Sequence, residues 1–292
     1  MDPVIVIMVL LSAVMHALRN FFNKRALDKQ AFAWWFEVFG LLFFTPVFVF
    51  VFIREGLSIS ISPAFILLSG IVHFIYWLFL TMALEKGDLS LVYPITRSSP
   101  ALVLIFSVTL LNENISILGI LGILLVVFGV YTIHMTRFDI SELTKPFRSI
   151  VNNRAIQFAF LTLGAVAAYS LIDKIAVSRM NPVALAYLVP WITIGLLTIY
   201  LLKVKTKGVL KKEWKAHKKS ILICGVLSIF GYFLILLAFT VERVSYIVGL
   251  RQLSIVFAVL LGGHFLKEKN RLIRVTSSVI IFLGCYFIII AD

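Results

Sequence analysis

Stretches of about 20 mostly apolar residues follow one another along this chain with little between them, and that succession dictates the fold. A segment surrounded by lipid finds no water for its backbone, so it must satisfy its own N–H and C=O groups as a helix. The runs fall at 3–23, 33–53, 63–84, 89–111, 115–135, 155–176, 183–202, 220–240, 244–266 and 272–290. Hydrophobic residues make up 61% of the 292, and mean hydropathy is +1.04. A soluble domain of this length could not bury so much apolar surface. The expected fold is an all-α polytopic membrane protein with ten transmembrane helices. No soluble domain is left to carry a nucleic-acid partner, so the net charge of +13 needs another reading.

That reading is topological. Loops 1–2, 3–4, 5–6, 7–8 and 9–10 hold 20 of the 27 lysines and arginines, eight of them between Lys203 and Lys219. The opposite side holds Arg54, Arg179 and Arg243, and Arg19, Arg97, Lys174 and Arg251 fall inside spans. Basic loops stay in the cytoplasm, so the odd loops are expected there and both termini outside. Val209, Leu210 and Trp214 among the lysines of loop 7–8 would suit a short helix lying on an anionic leaflet, or an ordinary solvated loop.

The chain is also a repeat. Residues 70–135 correspond to 225–290 at a constant offset of 155: Gly70 meets Gly225, Ala83 meets Ala238, Ser90 meets Ser245, Glu113 meets Glu268 and Gly129 meets Gly284. The first spans correspond at offset 150, Asn23 meeting Asp173. The halves are expected at 1–135 and 155–292, joined by 136–154, where Thr144-Lys145-Pro146 disfavours a continuous helix. Each half crosses the membrane five times, so the second inserts upside down relative to the first. Inverted repeats are typical of secondary transporters, with the substrate site between the halves near the midplane.

Ten spans, the five-plus-five repeat, the segment Tyr93-Pro94-Ile95-Thr96-Arg97-Ser98-Ser99-Pro100-Ala101 ending in Leu110-Leu111-Asn112-Glu113, and its counterpart from Ser245 through Arg251-Gln252 to Lys267-Glu268 resemble the drug/metabolite transporter superfamily, and within it the EamA-type transporters. The resemblance covers nearly the whole chain. It implies a basket of helices in which spans 1, 3, 4, 6, 8 and 9 line a central cavity while 5 and 10 pack at the rim. It also implies a small-molecule cargo, since members carry amino acids, nucleotide sugars, sugar phosphates, quaternary amines and other metabolites. Members generally place both termini in the cytoplasm, against the charge count here. A multi-pass protein of the bacterial inner (plasma) membrane is expected.

Ionisable groups inside spans cost about 2.5–3.5 kcal/mol on insertion scales and usually face a cavity or pathway. Arg97 and Arg251 lie at similar depths in spans 4 and 9, one register step from equivalence, because the repeat sets Thr96 against Arg251 and Arg97 against Gln252. Two converging guanidinium forks would hold a carboxylate or phosphate. The structural alternative pairs each arginine with Asp173, Glu37 or a backbone carbonyl. Tyr93 lies one turn from Arg97, and Pro94 and Pro100 bracket it. Ser12, His16 and Asn20 form a polar stripe on span 1, answered on span 6 by Thr162, Tyr169 or Ser170, and Asp173. His16 is a candidate proton carrier. Tyr76, with His73 and Trp77, and Tyr232 would form an aromatic cavity wall or a cation-binding cage. Asp173 with Lys174 reads as a structural ion pair. Glu113 and Glu268 read as helix-end residues, each at the start of the following helix.

Cys224 and Cys285 read as small apolar fillers, and neither a metal site, a cofactor nor a catalytic set is expected. Asn114-Ile115-Ser116 matches a glycosylation pattern too close to a helix end to weigh. No phosphate-binding loop is present to use ATP. The expected function is secondary active transport of a small polar metabolite bearing a carboxylate or phosphate, by alternating access, with membrane lipid and a coupling proton as candidate partners. The alternatives are a flippase for a phosphorylated lipid, or an exporter of amino acids or cationic compounds using the aromatic wall.

Overall fold

A computed structural model describes residues 1–23, 25–56, 63–87, 89–133, 135, 144, 150–257 and 271–291. Lys24, most of the joint 136–154, the end of the ninth run beyond 257, His134, His264 and the Lys267-Glu268 pair lie outside the described residues. Among the described residues the protein is all helix: α1 Pro3–Asn23, α2 Lys29–Glu55, α3 Pro63–Lys86, α4 Leu89–Arg97, α5 Ser99–Leu111, α6 Ile117–Thr132, α7 Arg154–Val177, α8 Pro182–Val204, α9 Val209–Val241, α10 Val244–Leu250 and α11 Arg271–Ile290. Eight apolar helices among the described residues are long enough to span a bilayer, one of them formed by α4 and α5 together. Two shorter apolar helices, Ile117–Thr132 and Val244–Phe257, stand where the fifth and ninth spans are expected. Outward-facing Phe50, Ile53, Leu110, Phe128 and Phe282 are exposed, as a lipid-facing belt requires.

The helix ends sort into two sets, as alternating crossings demand. At one end the N-terminal ammonium donates to Ile289 O (2.9 Å) and Asn181 Nδ2 donates to Glu55 Oε2 (3.0 Å). At the other, where the basic loops lie, Asp28 caps α2 by accepting from the N–H groups of Gln30 and Ala31, and its carboxylate also takes Lys205 Nζ at 2.9 Å. Glu213 closes the same corner, accepting from Asp28 N at 2.8 Å.

The two sequence halves do not form two separate bodies. α6 packs chiefly on α11, α2 on α9, and α3 on α7, so the main interfaces join one half to the other. The α6–α11 crossing carries the signature of a two-fold axis. Gly122 and Gly129 of α6 correspond in the repeat to Ser277 and Gly284 of α11. A Cβ on Gly122 would meet Gly284 O at 2.7 Å, and one on Gly129 would meet Ser277 O at 2.9 Å. Each residue therefore touches the counterpart of the other. The hydroxyls of Thr132 and Ser277 bond across the seam at 2.9 Å. Small residues let backbones approach where lipid supplies no hydrophobic drive for association. Gly225 of α9 makes a second close crossing, its O 2.8 Å from a Cβ built on Gly40 of α2.

Several helix-end details differ from expectation. Glu113 does not serve the helix that follows it. Its carboxylate accepts from Val244 N (2.7 Å) and Ser245 Oγ (2.8 Å), capping α10 in the opposite half. Ser116 caps α6 instead, accepting from Gly119 N (3.2 Å), which gives the Asn114-Ile115-Ser116 segment a helix-starting role. Trp214 does not face lipid, because it stacks on Phe39 of α2 with ring centroids 5.0 Å apart. His217 breaks α9 with non-helical torsions (φ −129°, ψ 21°), so 209–216 is a short basic helix set apart from the span.

A bulky side chain at the glycine crossing would force α6 from α11. Gly122→Leu should lower stability by about 1–3 kcal/mol or abolish folded yield. Gly195→Ala in α8, where a Cβ meets nothing within 4 Å, should be neutral or stabilise by up to about 1 kcal/mol. Thermal unfolding in detergent compares the two.

Candidate functional site

The spans that carry Arg97 and Arg251 are both broken at those residues. α4 ends at Arg97 because Pro94 and Pro100 lack the donors that would continue it. Ser98 N turns to Ile95 O (3.1 Å), and Ser98 Oγ takes the abandoned Pro94 carbonyl at 2.6 Å. α10 ends at Leu250, and Arg251 and Gln252 form a turn in which Gln252 N donates to Gly249 O at 3.1 Å. Broken helices meeting at a central cavity are how transporters expose polar backbone and side chains away from lipid.

The cavity between them is lined by all nine residues singled out in the sequence: His16, Asn20, Tyr76, Tyr93, Arg97, Tyr169, Tyr232, Arg251 and Gln252. α6 and α11 contribute no lining residue. α2 and α8 do contribute, through Glu37 and through Val189, Pro190 and Thr193, so the wall is wider than the six expected spans. Toward the basic-loop end the lining extends to Asn23 and Leu84. Toward the opposite end it stops at His73, Tyr169 and Tyr232. Beyond them Ile235, Phe239, Val244 and Ile247 are buried in the main apolar core.

Three arginines reach this cavity. Arg97 lies 5.8 Å from the centroid of the Tyr93 ring. Among the described residues neither Arg97 nor Arg251 makes an ion pair, so neither is held by Asp173 or Glu37 as the structural alternative would have it. Arg19, which the sequence marked only as a basic residue within a span, is the third. It donates to His16 Nδ1 (2.9 Å) and Ser228 Oγ (3.1 Å), and sits over the rings of Trp77 (5.4 Å) and Phe36 (5.7 Å). Ser228 in turn donates to Glu37 Oε1 at 3.4 Å, so Arg19 and Glu37 balance each other through a hydroxyl. Arg19 was missed because it lies three residues from His16 in an apolar run. Its place on the polar stripe of α1 was the available signal.

The geometry weakens His16 as a proton carrier. A guanidinium only donates, so the Nδ1 lone pair is occupied and a proton there would break the bond to Arg19. His16 Nε2 and Gln252 Oε1 are buried and have no hydrogen-bond partner. Buried polar atoms are ordinarily satisfied, so both are available to a bound molecule.

Asp173 and Lys174 are not an ion pair. Lys174 Nζ turns away to donate to Phe239 O and Glu242 O (2.8 Å), holding α7 to the end of α9. Asp173 is fully buried behind the cavity wall, accepting from Ser69 Oγ (2.6 Å) and Tyr232 OH (2.9 Å). Consecutive residues on a helix point about 100° apart, which separates the two charges.

A central cavity between inverted, interleaved bundles defines a multi-pass membrane transporter of small molecules. The chain belongs to the EamA-like transporter family of the drug/metabolite transporter superfamily, which matches it over residues 3–135 and 153–290. A solved structure titled only "Crystal structure of protein" is similar over 97% of this chain and 94% of its own, with a TM-score of 0.70 and 15% identity, which speaks to the fold alone. Comparison with curated proteins returns no match.

Removing Arg19 alone would leave the half-buried Glu37 of the cavity wall without its neighbouring cation. Arg19→Met should destabilise the protein by about 3 kcal/mol, and Arg19→Met with Glu37→Gln should recover much of that loss. Melting of the single and double variants measures the coupling.

Proposed function

We propose that the protein is a secondary transporter that carries a small anionic metabolite by alternating access, with Arg97 and Arg251 as its charge-recognising pair. One observation carries this reading: two cavity arginines sit at the broken ends of matching helices with no carboxylate paired to either among the described residues. An anionic substrate would supply the missing partner, since a guanidinium fork binds carboxylate or phosphate bidentately. His16 Nε2, with Nδ1 accepting from Arg19, is left to donate to the same substrate, and Gln252 Oε1 to accept from it. Tyr76, Tyr93, Tyr169 and Tyr232 form the aromatic wall around the bound molecule, with Asn20 toward the basic end. The aromatic wall also favours a second cargo class, an organic cation held against the rings, with Glu37 as countercharge.

Purified protein in detergent distinguishes the classes by thermal shift with succinate, glycerol 3-phosphate, glutamate and choline. The anions should raise the melting temperature and choline should not. Stabilisation by choline alone would transfer the reading to the aromatic wall. Arg97→Ala and Arg251→Ala should each weaken the anion effect by about ten- to a hundredfold in affinity, the loss of one charged hydrogen-bonding partner, while leaving the melting of the unliganded protein near that of the parent.

The basic loops support an orientation with both termini outside the cytoplasm of a bacterial inner membrane. A periplasm-active reporter fused after Asp292 should therefore be active and a cytoplasm-active one silent. The reverse pattern would place the basic loops outside.

A further inference from the structure

His73, Ser69, Asp173 and Tyr232 form a polar cluster at the closed end of the cavity, and of these four only the Tyr232 ring has a part in the substrate reading above. Asp173 is 0% exposed, yet it holds only neutral donors: Ser69 Oγ on Oδ1 and Tyr232 OH on Oδ2. His73 completes the cluster. Its Nδ1 lies 2.9 Å from Ser69 O, and a carbonyl only accepts, so Nδ1 carries the hydrogen. Neutral His73 then turns a bare Nε2 toward Asp173 Oδ2, 3.8 Å away. Two acceptors face each other across a gap too long for a formed hydrogen bond. One proton fits between them. His73 and Tyr232 line the cavity while Asp173 lies just behind them, so the pair borders the transport path.

The other ionisable groups turned toward this carboxylate come from every side. They are Tyr232 on α9, Tyr169 on α7 itself and Arg251 at the end of α10, while Tyr76 on α3 and Arg97 at the end of α4 line the same cavity. α5 carries no ionisable residue, and Tyr187 of α8 is stacked on Phe48. Tyr169 stacks on the His73 ring at 4.2 Å and fixes its plane.

We propose that Asp173 is a proton-binding site, its bound proton donated to His73 Nε2. Ser69 and His73 belong to the first half, and Asp173 and Tyr232 to the second. The proton would add a bond that ties the halves together at the closed end, and its release would loosen that end. The coupling role rests on the transport reading above. Proton binding itself does not, and it is tested without any substrate.

The test is infrared spectroscopy of the protein in lipid vesicles across a pH titration, with the proton as the only ligand. The protein is produced with and without carboxyl-labelled aspartate. Among the described residues Asp173 is the one aspartate within a membrane-spanning helix. A buried carboxylic-acid band should appear as pH falls, should move on aspartate labelling, and should be lost in Asp173→Asn while surviving in Glu37→Gln. The labelled parent protein decides the matter even if Asp173→Asn fails to fold. A band that is absent, that ignores the label, or that persists in Asp173→Asn overturns the proposal. The thermal-shift screen with succinate and choline judges the substrate reading separately.

Discussion

Lipid leaves a backbone no outside partner, and that constraint decides where this chain can be anything other than a straight helix. Breaks at membrane depth are tolerable only where protein or a cavity covers them. The two central breaks, after Arg97 and around Arg251, both face the cavity. Their chemistry differs although their position is shared. In the first half two prolines remove donors, and the Ser98 hydroxyl takes the carbonyl that its own amide abandons. In the second half Gly249 stands where Pro94 does, and a tight turn at Arg251 and Gln252 does the same work with backbone bonds alone. The two halves thus reach a break at the same depth by two unrelated local routes.

The repeat explains how such a cavity is supported. Because the halves interleave, each broken helix leans on helices from the other half. Glu113 shows this most directly, since it closes one half's fourth span yet caps the helix that opens the other half's ninth. The α6–α11 crossing fixes the two-fold relation with glycines where a methyl group would clash. These two helices stay out of the cavity, so their close packing frames it from outside.

Much of this was legible in the sequence. The apolar runs and the constant offset gave the helices and the repeat, because membrane helices announce themselves by length and composition alone. The nine candidate residues all reached the cavity because polar groups in lipid-spanning segments have few other places to go. What escaped was partnership. Adjacent Asp173 and Lys174 look like a pair in one dimension, but helix geometry sends them to different neighbours. Glu113 looks like the cap of its own next helix, yet its partner lies 131 residues on. Arg19 was counted without being placed, because its partners Ser228 and Glu37 come from two other spans. Sequence spacing orders residues along a face, and only the packing of faces says which charges meet.

That packing divides the charges of the cavity by role. Arg19 is already engaged, bonded to His16 and Ser228 and packed on two aromatic rings, so it is part of the wall. Glu37 is matched to it through Ser228. Asp173 is sealed behind the closed end and ties spans from both halves through Ser69 and Tyr232. Arg97 and Arg251 remain, at the broken helix ends, without a carboxylate among the described residues. A cation with no anionic partner in a low-dielectric setting is costly, and an arriving group of opposite sign relieves that cost. The same relief would draw the two broken ends together around the arriving group, one from each half. Binding energy and the inward movement of the halves would then share one origin, which is what a carrier needs if it is to change shape only when loaded.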